Sequence, residues 1–462
     1  MFPIPVDHHR RPNEMPGVPL PQQWPHGPSN PLQAAADCGS FKTAANLLAS
    51  GAFDIDQGNE VGWTPLMMAS RGGYPRIVRM LLNKGAQLWI TDDLGYTALH
   101  WSAMAGHLAV TKMLVDAGAP LEAATKQNHC TPLDCAAETG CAPSVTALLE
   151  AGSNLNTRRS DGATPLYTAA WNGNVGAVWL LLFAKADPLL TCASDSGKER
   201  FLPLDVAAQN GHREVVHELI RQVGIDECGG SSGGENALRQ AALFSRLDIM
   251  AILTDAGVVD TGLALVVAAG YGGEAPLKFL LEQARARKTT DRVAYMNTLN
   301  GVGLTSLLDG IQRCRPRVVR LLVEAGADTT SPVLICNQPG AGDFHITPLG
   351  LTMCLLGGRS AKPLTMEKLN KLEVIRRLLL REEAVHAVSW LWPSDIPTTI
   401  HATAKGTSRT TATSTAATPL IMLMMRRRTR GRKGPLAALL RYSWKVETLT
   451  GMENEPLRPL TL

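Results

Sequence analysis

The 462-residue chain holds eleven histidines, nine cysteines and 41 acidic residues, so it has the side chains for catalysis or metal binding. Their spacing supports neither. There is no phosphate-binding loop, no GxSxG elbow, no HExxH and no kinase signature. His212 and His217 bracket HREVVH, but one falls in a loop position and the other on an ordinary helix. The glycine-rich ECGGSSGGE (227–235) lacks the following lysine and the strand–helix setting that phosphate binding needs. It reads as a loop. No CxxC pair occurs and the cysteines are odd in number and scattered, which points to buried reduced thiols. No catalytic residue, metal site or cofactor is assigned.

What the chain does repeat is a structural unit. GWTPLMMAS (62–70), GYTALHWSA (95–103), HCTPLDCAA (129–137) and GATPLYTAA (162–170) place Thr64, Thr97, Thr131 and Thr164 at intervals of 33, 34 and 33 residues. A threonine oxygen can cap the partnerless amides of a helix start. Proline just inside that start loses no hydrogen bond and presets a helical φ. Leucine and paired alanines then form a short helix that neighbours can approach closely. Gly73, Gly106, Gly140 and Gly173 end it, where a positive φ costs glycine little. A second apolar helix follows, as in RIVRMLLNKGA (76–86), and Gly85, Gly118 or Gly152 closes it.

These units resemble ankyrin repeats, whose pattern is close to D-x-x-G-x-T-P-L-H-x-A-A-x-x-G-H, a second helix, then G-A-D. The resemblance is best over 56–187 and extends through divergent copies over 32–385, giving about nine or ten repeats. It implies an all-α solenoid of stacked helix-turn-helix units joined by β-hairpin loops. The family histidine survives only as His100, with Met67, Asp134, Tyr167 and Asp205 in its place elsewhere, so its bridging of neighbouring repeats is expected at that one unit. Between 257 and 262 there is almost no room for a hairpin, and the row of tips should break there. Insertions at 285–300, 329–345 and 359–371 should make the C-terminal half less regular.

In this family, partners bind variable positions on the concave side. Carried over residue by residue, the partner-binding candidates are Trp63, Arg71, Asp93, Tyr96, Met104, Glu138, Trp171 and Phe201. Trp63, Tyr96 and Trp171 are expected to point at a partner, since aromatics near arginine are the usual anchors of interfaces. Asp93, Glu138 and Asp161 should leave the face mildly acidic, suited to a basic or mixed peptide rather than to nucleic acid. Trp179 and Phe183 stand at outward positions of a second helix, where an insertion at 191–200 or the N-terminal segment is expected to cover them.

The net charge of +4 averages two unlike parts. Residues 396–446 hold ten bases and no acid, leaving 35 bases against 41 acids, a net of −6, elsewhere. Within that tail, residues 398–418 are mostly Ser/Thr. Arg426, Arg427, Arg428, Arg430, Arg432 and Lys433 then form a run like a nuclear-import signal or a nucleic-acid patch. At the other end, nine of 29 prolines fall in the first 31 residues, and no signal peptide or membrane span is evident. The expected organisation is a disordered proline-rich 1–31, a regular array over 32–259, divergent repeats over 260–385 and a disordered basic tail over 386–462. The expected function is a non-enzymatic scaffold or adaptor that holds a protein partner on its concave face, in the cytoplasm. The alternative is a nuclear regulator that uses the tail. Membrane insertion is not expected, nor nucleic-acid binding except through the tail.

Overall fold

A computed structural model describes residues 30–193, 200–228, 233–300, 303–331, 333–335, 344–356 and 365–391. The described residues up to Val388 belong to one unit. The proline-rich residues 1–29 and the basic run at 426–433 lie outside them.

The repeating threonines do begin helices. Pro65–Arg71, Ala98–Ala105, Pro132–Thr139 and Pro165–Asn172 follow Thr64, Thr97, Thr131 and Thr164 in extended backbone. Thr64, Thr131 and Thr164 accept the amides of Met67, Asp134 and Tyr167 at 3.3, 3.3 and 3.2 Å. Each first helix turns back through its glycine into a second helix: Pro75–Asn83, Leu108–Asp116, Ala142–Glu150 and Val175–Phe183. Pro203–Asn210 and Arg213–Val223 continue the stack, followed by Glu235–Leu243 with Leu247–Asp255. Leu66, Leu99, Leu133, Leu166 and Leu204 are fully buried in one continuous core with Ala69, Ala103, Ala136, Ala169 and Ala207. The apolar face of each pair is sealed only by the next pair, which is why the unit recurs.

Hairpin tips are tied in a row by backbone bonds. Asp93 N donates to Val61 O (3.2 Å), Lys126 N to Leu94 O (2.9 Å), Ser160 N to Asn128 O (3.0 Å) and Ala193 N to Asp161 O (3.2 Å). The two described sheets are two-stranded, Cys192–Ala193 with Arg200–Phe201 and Val333–Ile335 with Phe344–Ile346.

Two features of the C-terminal half were not readable as structure. The short connection at 257–262 has its hairpin replaced by a helix from the following insertion, Thr289–Met296. Tyr295 Oη donates to Asp260 Oδ2 (2.7 Å), and Arg287 Nη2 to Asp260 O (2.8 Å) with its guanidinium 4.0 Å from the Tyr295 ring. The first helix of the next unit, Leu263–Val267, runs into a π-helical turn at Ala268–Gly272. That turn absorbs one extra residue between helix start and second helix, as single π turns commonly do. It tolerates no side chain at Gly272, where a Cβ would lie 2.1 Å from Ala242 O. Ser306–Gln312, Pro316–Glu324, Pro348–Leu356 and Met366–Leu391 finish the described chain, with Leu372, Ile375 and Leu379 buried.

Candidate functional site: the first-helix face

At the second and third repeats three rings meet. Trp63 and Trp101 have centroids 4.6 Å apart, and Tyr96 and Trp101 5.1 Å apart. The Arg71 guanidinium lies 5.0 Å from the Trp63 ring. Asp92 fixes this group. Its Oδ2 accepts Trp63 Nε1 (3.1 Å), and its Oδ1 accepts the amides of Leu94 (3.0 Å) and Tyr96 (2.9 Å), turning the hairpin. Burial raises the Asp92 carboxyl above its ordinary value, against the lowering effect of those bonds. The structure therefore joins Trp63, Arg71 and Tyr96 into one cluster. Its central member, Trp101, was not picked out in the sequence; the signal was the variable slot four residues after the threonine, filled there by tryptophan.

The expected orientation of the rings needs correcting. Trp63 is only 6% exposed and Tyr96 8% exposed, so neither stands out as a free anchor. Packing onto Trp101 and the Asp92 bond draw them in. Trp171 is half-buried and belongs to a separate place, stacked on Tyr167 at 6.3 Å. Met104 and Phe201 are also half-buried, and Asp93 is exposed at a hairpin tip. Phe201 pairs with Cys192 in its short strand.

Glu138 behaves differently from expectation too. Its Oε2 lies 3.5 Å from Arg159 Nη1, with side-chain exposures of 15% and 6%. Arg159 occupies the hairpin position that Asn59 and Asp92 hold in earlier units, where a short side chain caps its own turn. Here Asp161 takes over that cap by accepting the Ala163 amide at 2.9 Å, which releases position 159 for a long side chain. Its guanidinium offsets Glu138, so this stretch of the face is less acidic than the acidic residues alone suggested. Burial nonetheless raises the Glu138 carboxyl, with Arg159 opposing.

Two columns of side chains lie behind this face, and members of each tie neighbouring units. His100 accepts the Thr97 amide at Nδ1 (3.0 Å), so its proton sits on Nε2, which reaches Cys130 O of the next repeat at 3.1 Å. Burial drives its pKa down to about 4. Asp134 and Asp205, in the same slot, cap only their own helices: Oδ2 accepts the amides of Thr131 and Leu202, each at 2.9 Å. Burial pushes both carboxyls up to about 6.

The second column went unread in the sequence. It lies just before each second helix, and each member bonds the end of the preceding first helix. His107 Nε2 reaches Arg71 O (2.9 Å), Asn174 Nδ2 donates to Ala137 O and Glu138 O (both 2.8 Å), and His212 Nε2 reaches Trp171 O (2.8 Å). Cys141 Sγ (3.6 Å from Met104 O), Arg246 Nε (3.4 Å from Gln209 O) and Arg315 Nη2 (3.3 Å from Tyr271 O) complete it. The loop glycine makes room: a Cβ on Gly173 would lie 2.4 Å from His212 Nδ1.

On the opposite side, Trp179 and Phe183 stack at 5.3 Å and are 41% and 71% exposed. Most of the insertion expected to cover them lies outside the described residues. Of the described cysteines, Cys130, Cys135, Cys192 and Cys314 are buried, and desolvation raises the Cys130 thiol to about 12. Among the described residues no helix is long and apolar enough to cross a membrane.

Helix pairs stacked at a fixed interval, tied through hairpin tips and side-chain columns, define a solenoid built to present one continuous face. The sequence matches the family described as ankyrin repeats (3 copies) over residues 22–92 and 88–159, and the single ankyrin repeat over 161–193. The chain is an ankyrin-repeat protein. It is 28% identical over 215 residues to the human transient receptor potential cation channel subfamily A member 1, covering 46% of this chain and 19% of the channel. It is 33% identical over 222 residues to the Caenorhabditis elegans ankyrin repeat and KH domain-containing protein mask-1, covering 48% of this chain and 8% of that one. Over 62 residues it is 42% identical to human protein phosphatase 1 regulatory subunit 27, covering 13% of this chain and 40% of the subunit. The chain thus matches less than half the length of each of these relatives. Ankyrin repeats are protein-interaction modules, and this chain carries such a module.

Proposed function

We propose that the protein is a non-enzymatic scaffold or adaptor that holds a protein partner along its first helices and hairpin tips. The observation that carries this reading is the continuity of the face. Val61, Asp93, Leu94, Lys126, Asn128, Ser160 and Asp161 are linked tip to tip by backbone bonds, so adjoining variable positions form one surface rather than isolated patches. On it, the cluster of Trp63, Tyr96 and Trp101 with Arg71, the Glu138–Arg159 pair and the half-buried Trp171 supply large side chains held by their neighbours. Aromatic and arginine side chains of limited freedom lose little entropy on binding. Asp93, Met104, Trp171 and Phe201 are the accessible contacts in this reading.

The experiment uses affinity capture from cells followed by purified reconstitution. Arg71→Ala, Asp93→Ala, Met104→Ala and Trp171→Ala, combined, should abolish binding of a reconstituted partner while the helical circular-dichroism signal stays intact. Undiminished binding by that folded variant would place the interface elsewhere.

A second reading rests on the basic run alone: Arg426, Arg427, Arg428, Arg430, Arg432 and Lys433 serve nuclear import or nucleic-acid contact. Replacing the six with Gln should move the protein out of the nucleus or flatten the salt dependence of its nucleic-acid binding. No change in either would remove this reading. The scaffold reading itself is of a cytoplasmic protein, which fluorescence imaging of the tagged full-length chain would test.

A further inference from the structure

We propose that Trp89, with the carboxylates of Asp56 and Glu122 on either side of it in the stack, forms a second docking surface, one that takes the arginine or lysine side chains of a basic partner segment. Its residues are not those of the first helices and hairpin tips, so it stands or falls independently of the reading above.

The loop that follows each second helix carries a side chain that ties it to the next such loop. Asp56 Oδ1 accepts the Gln87 amide at 3.0 Å, Glu122 Oε1 the Asn154 amide at 2.8 Å and Asn156 Oδ1 the Asp187 amide at 3.0 Å, across 31, 32 and 31 residues. Trp89 stands in this slot after Pro75–Asn83, and the residue 31 positions further on is Pro120. Indole has no oxygen to accept with, and proline has no N–H to donate. Both halves of the tie are therefore missing together. No amide is left unpaired by the change, and the side chain at 89 is released from the ladder.

The released ring is open. Trp89 is 68% exposed. Trp63, Trp101, Trp171 and Trp179 each pack on another ring, whereas Trp89 makes no ring contact and no hydrogen bond among the described residues.

The charge around it selects the occupant. Loop segments 51–57, 84–91 and 116–124 hold Asp54, Asp56, Asp116 and Glu122 against Lys84 alone. None of these four acids is in an ion pair among the described residues. Asp56 and Glu122 each spend one oxygen on the ladder, and Asp56 Oδ2 and Glu122 Oε2 keep no hydrogen bond there. An open indole face attracts a cation through its quadrupole, and carboxylates in the adjoining slots act in the same sense. Guanidinium suits the arrangement well, because it stacks flat on a ring while its N–H fork meets a carboxylate. An acidic segment would be repelled, and a neutral apolar one would leave both carboxylates unanswered.

The test labels the full-length chain with 5-fluorotryptophan and assigns the Trp89 fluorine resonance by its loss in Trp89→Asn. The probe is the peptide GRGRGRG, with GQGQGQG as its neutral control. The arginine peptide should shift the Trp89 resonance saturably and the glutamine peptide should not. Asp56→Asn with Glu122→Gln keeps the amide-accepting oxygens and removes only the charges. That variant should raise the dissociation constant about fivefold or more. No shift, an equal shift with the neutral peptide, or unchanged affinity in the charge variant overturns the proposal. A Trp89 resonance that moves when the six bases from Arg426 to Lys433 are replaced by Gln, before any peptide is added, overturns it in favour of the chain's own tail. Trp89→Asn and Pro120→Ala together restore the tie, so the urea midpoint of the double variant should exceed what the single changes predict. Additive midpoints would remove the vacated slot on which the proposal stands.

Discussion

Replacing His100 with Asn should reverse the order of stability between variant and parent as the pH falls. In the native fold the ring is neutral: Nδ1 accepts the Thr97 amide and Nε2 donates across the repeat boundary to Cys130 O. A second proton would have to sit on Nδ1, facing an N–H. The folded pKa is about 4, against an ordinary value of 6.5. Below pH 6.5 the unfolded chain takes up this proton before the folded one does, so the stabilisation is complete above 6.5 and declines towards 4. A displacement of that size corresponds to about 3 kcal/mol. Asn at position 100 cannot titrate and cannot reach Cys130 O, which costs about 1 kcal/mol for the lost hydrogen bond. His100→Asn should therefore be less stable than the parent at pH 7 by about 1 kcal/mol. It should be more stable at pH 4 by about 2 kcal/mol, with the curves crossing near pH 6. Urea unfolding followed by tryptophan fluorescence between pH 4 and 7 measures this, and other titrating groups cancel in the difference. Parallel curves would refute the buried neutral imidazole and the bridge built on it.

Asp134 should show the opposite sign. Its carboxyl is raised from 3.8 to about 6, so the folded state favours the proton and stability is lost as pH rises through that interval. Asp134→Asn should flatten this slope and be worth up to about 3 kcal/mol at pH 7, read from the same urea curves. Lys185 holds the left-handed backbone (φ 71°) that glycine occupies at equivalent ends, so Lys185→Gly should raise the unfolding free energy by about 1 kcal/mol, seen as a higher urea midpoint. Gly272→Ala must displace the Ala242 carbonyl, and hydrogen exchange should show faster opening from Glu235 onward while Pro65–Asn172 keeps its protection. Arg159→Met should cost about 3 kcal/mol by leaving Glu138 without its partner, and adding Glu138→Leu should recover most of it in a double-mutant cycle.

The regular part of this fold was legible because its causes are local. A threonine cap, an N1 proline, small residues and a closing glycine each act within one turn, so Thr64 to Gly173 could be read in sequence order. What escaped depends on partners roughly thirty residues away. His107, Asn174 and Arg246 share no chemistry except a donor of suitable reach, so their common slot shows only when the preceding carbonyl is seen beside it. Trp63 and Tyr96 were found as candidates but assigned the wrong exposure, because Trp101 and Asp92 come from different elements and only folding brings them together. Likewise, the Tyr295 helix stands in for a hairpin missing more than thirty residues earlier, a substitution that no pattern of adjacent residues announces.

The column of unlike donors makes the solenoid a series of joints of graded strength. Under end-to-end tension every joint carries the same load, so parting begins at the feeblest. By donor chemistry that would be Cys141, whose thiol is a weak donor at 3.6 Å, beside the paired contacts of Asn174 and the imidazoles of His107 and His212. The same joint, between the third and fourth repeats, is where His100 adds its crossing bond to Cys130. A stretched chain would accordingly hold there while that imidazole stays neutral and give way first there once it is charged, so acidity would set where the spring breaks.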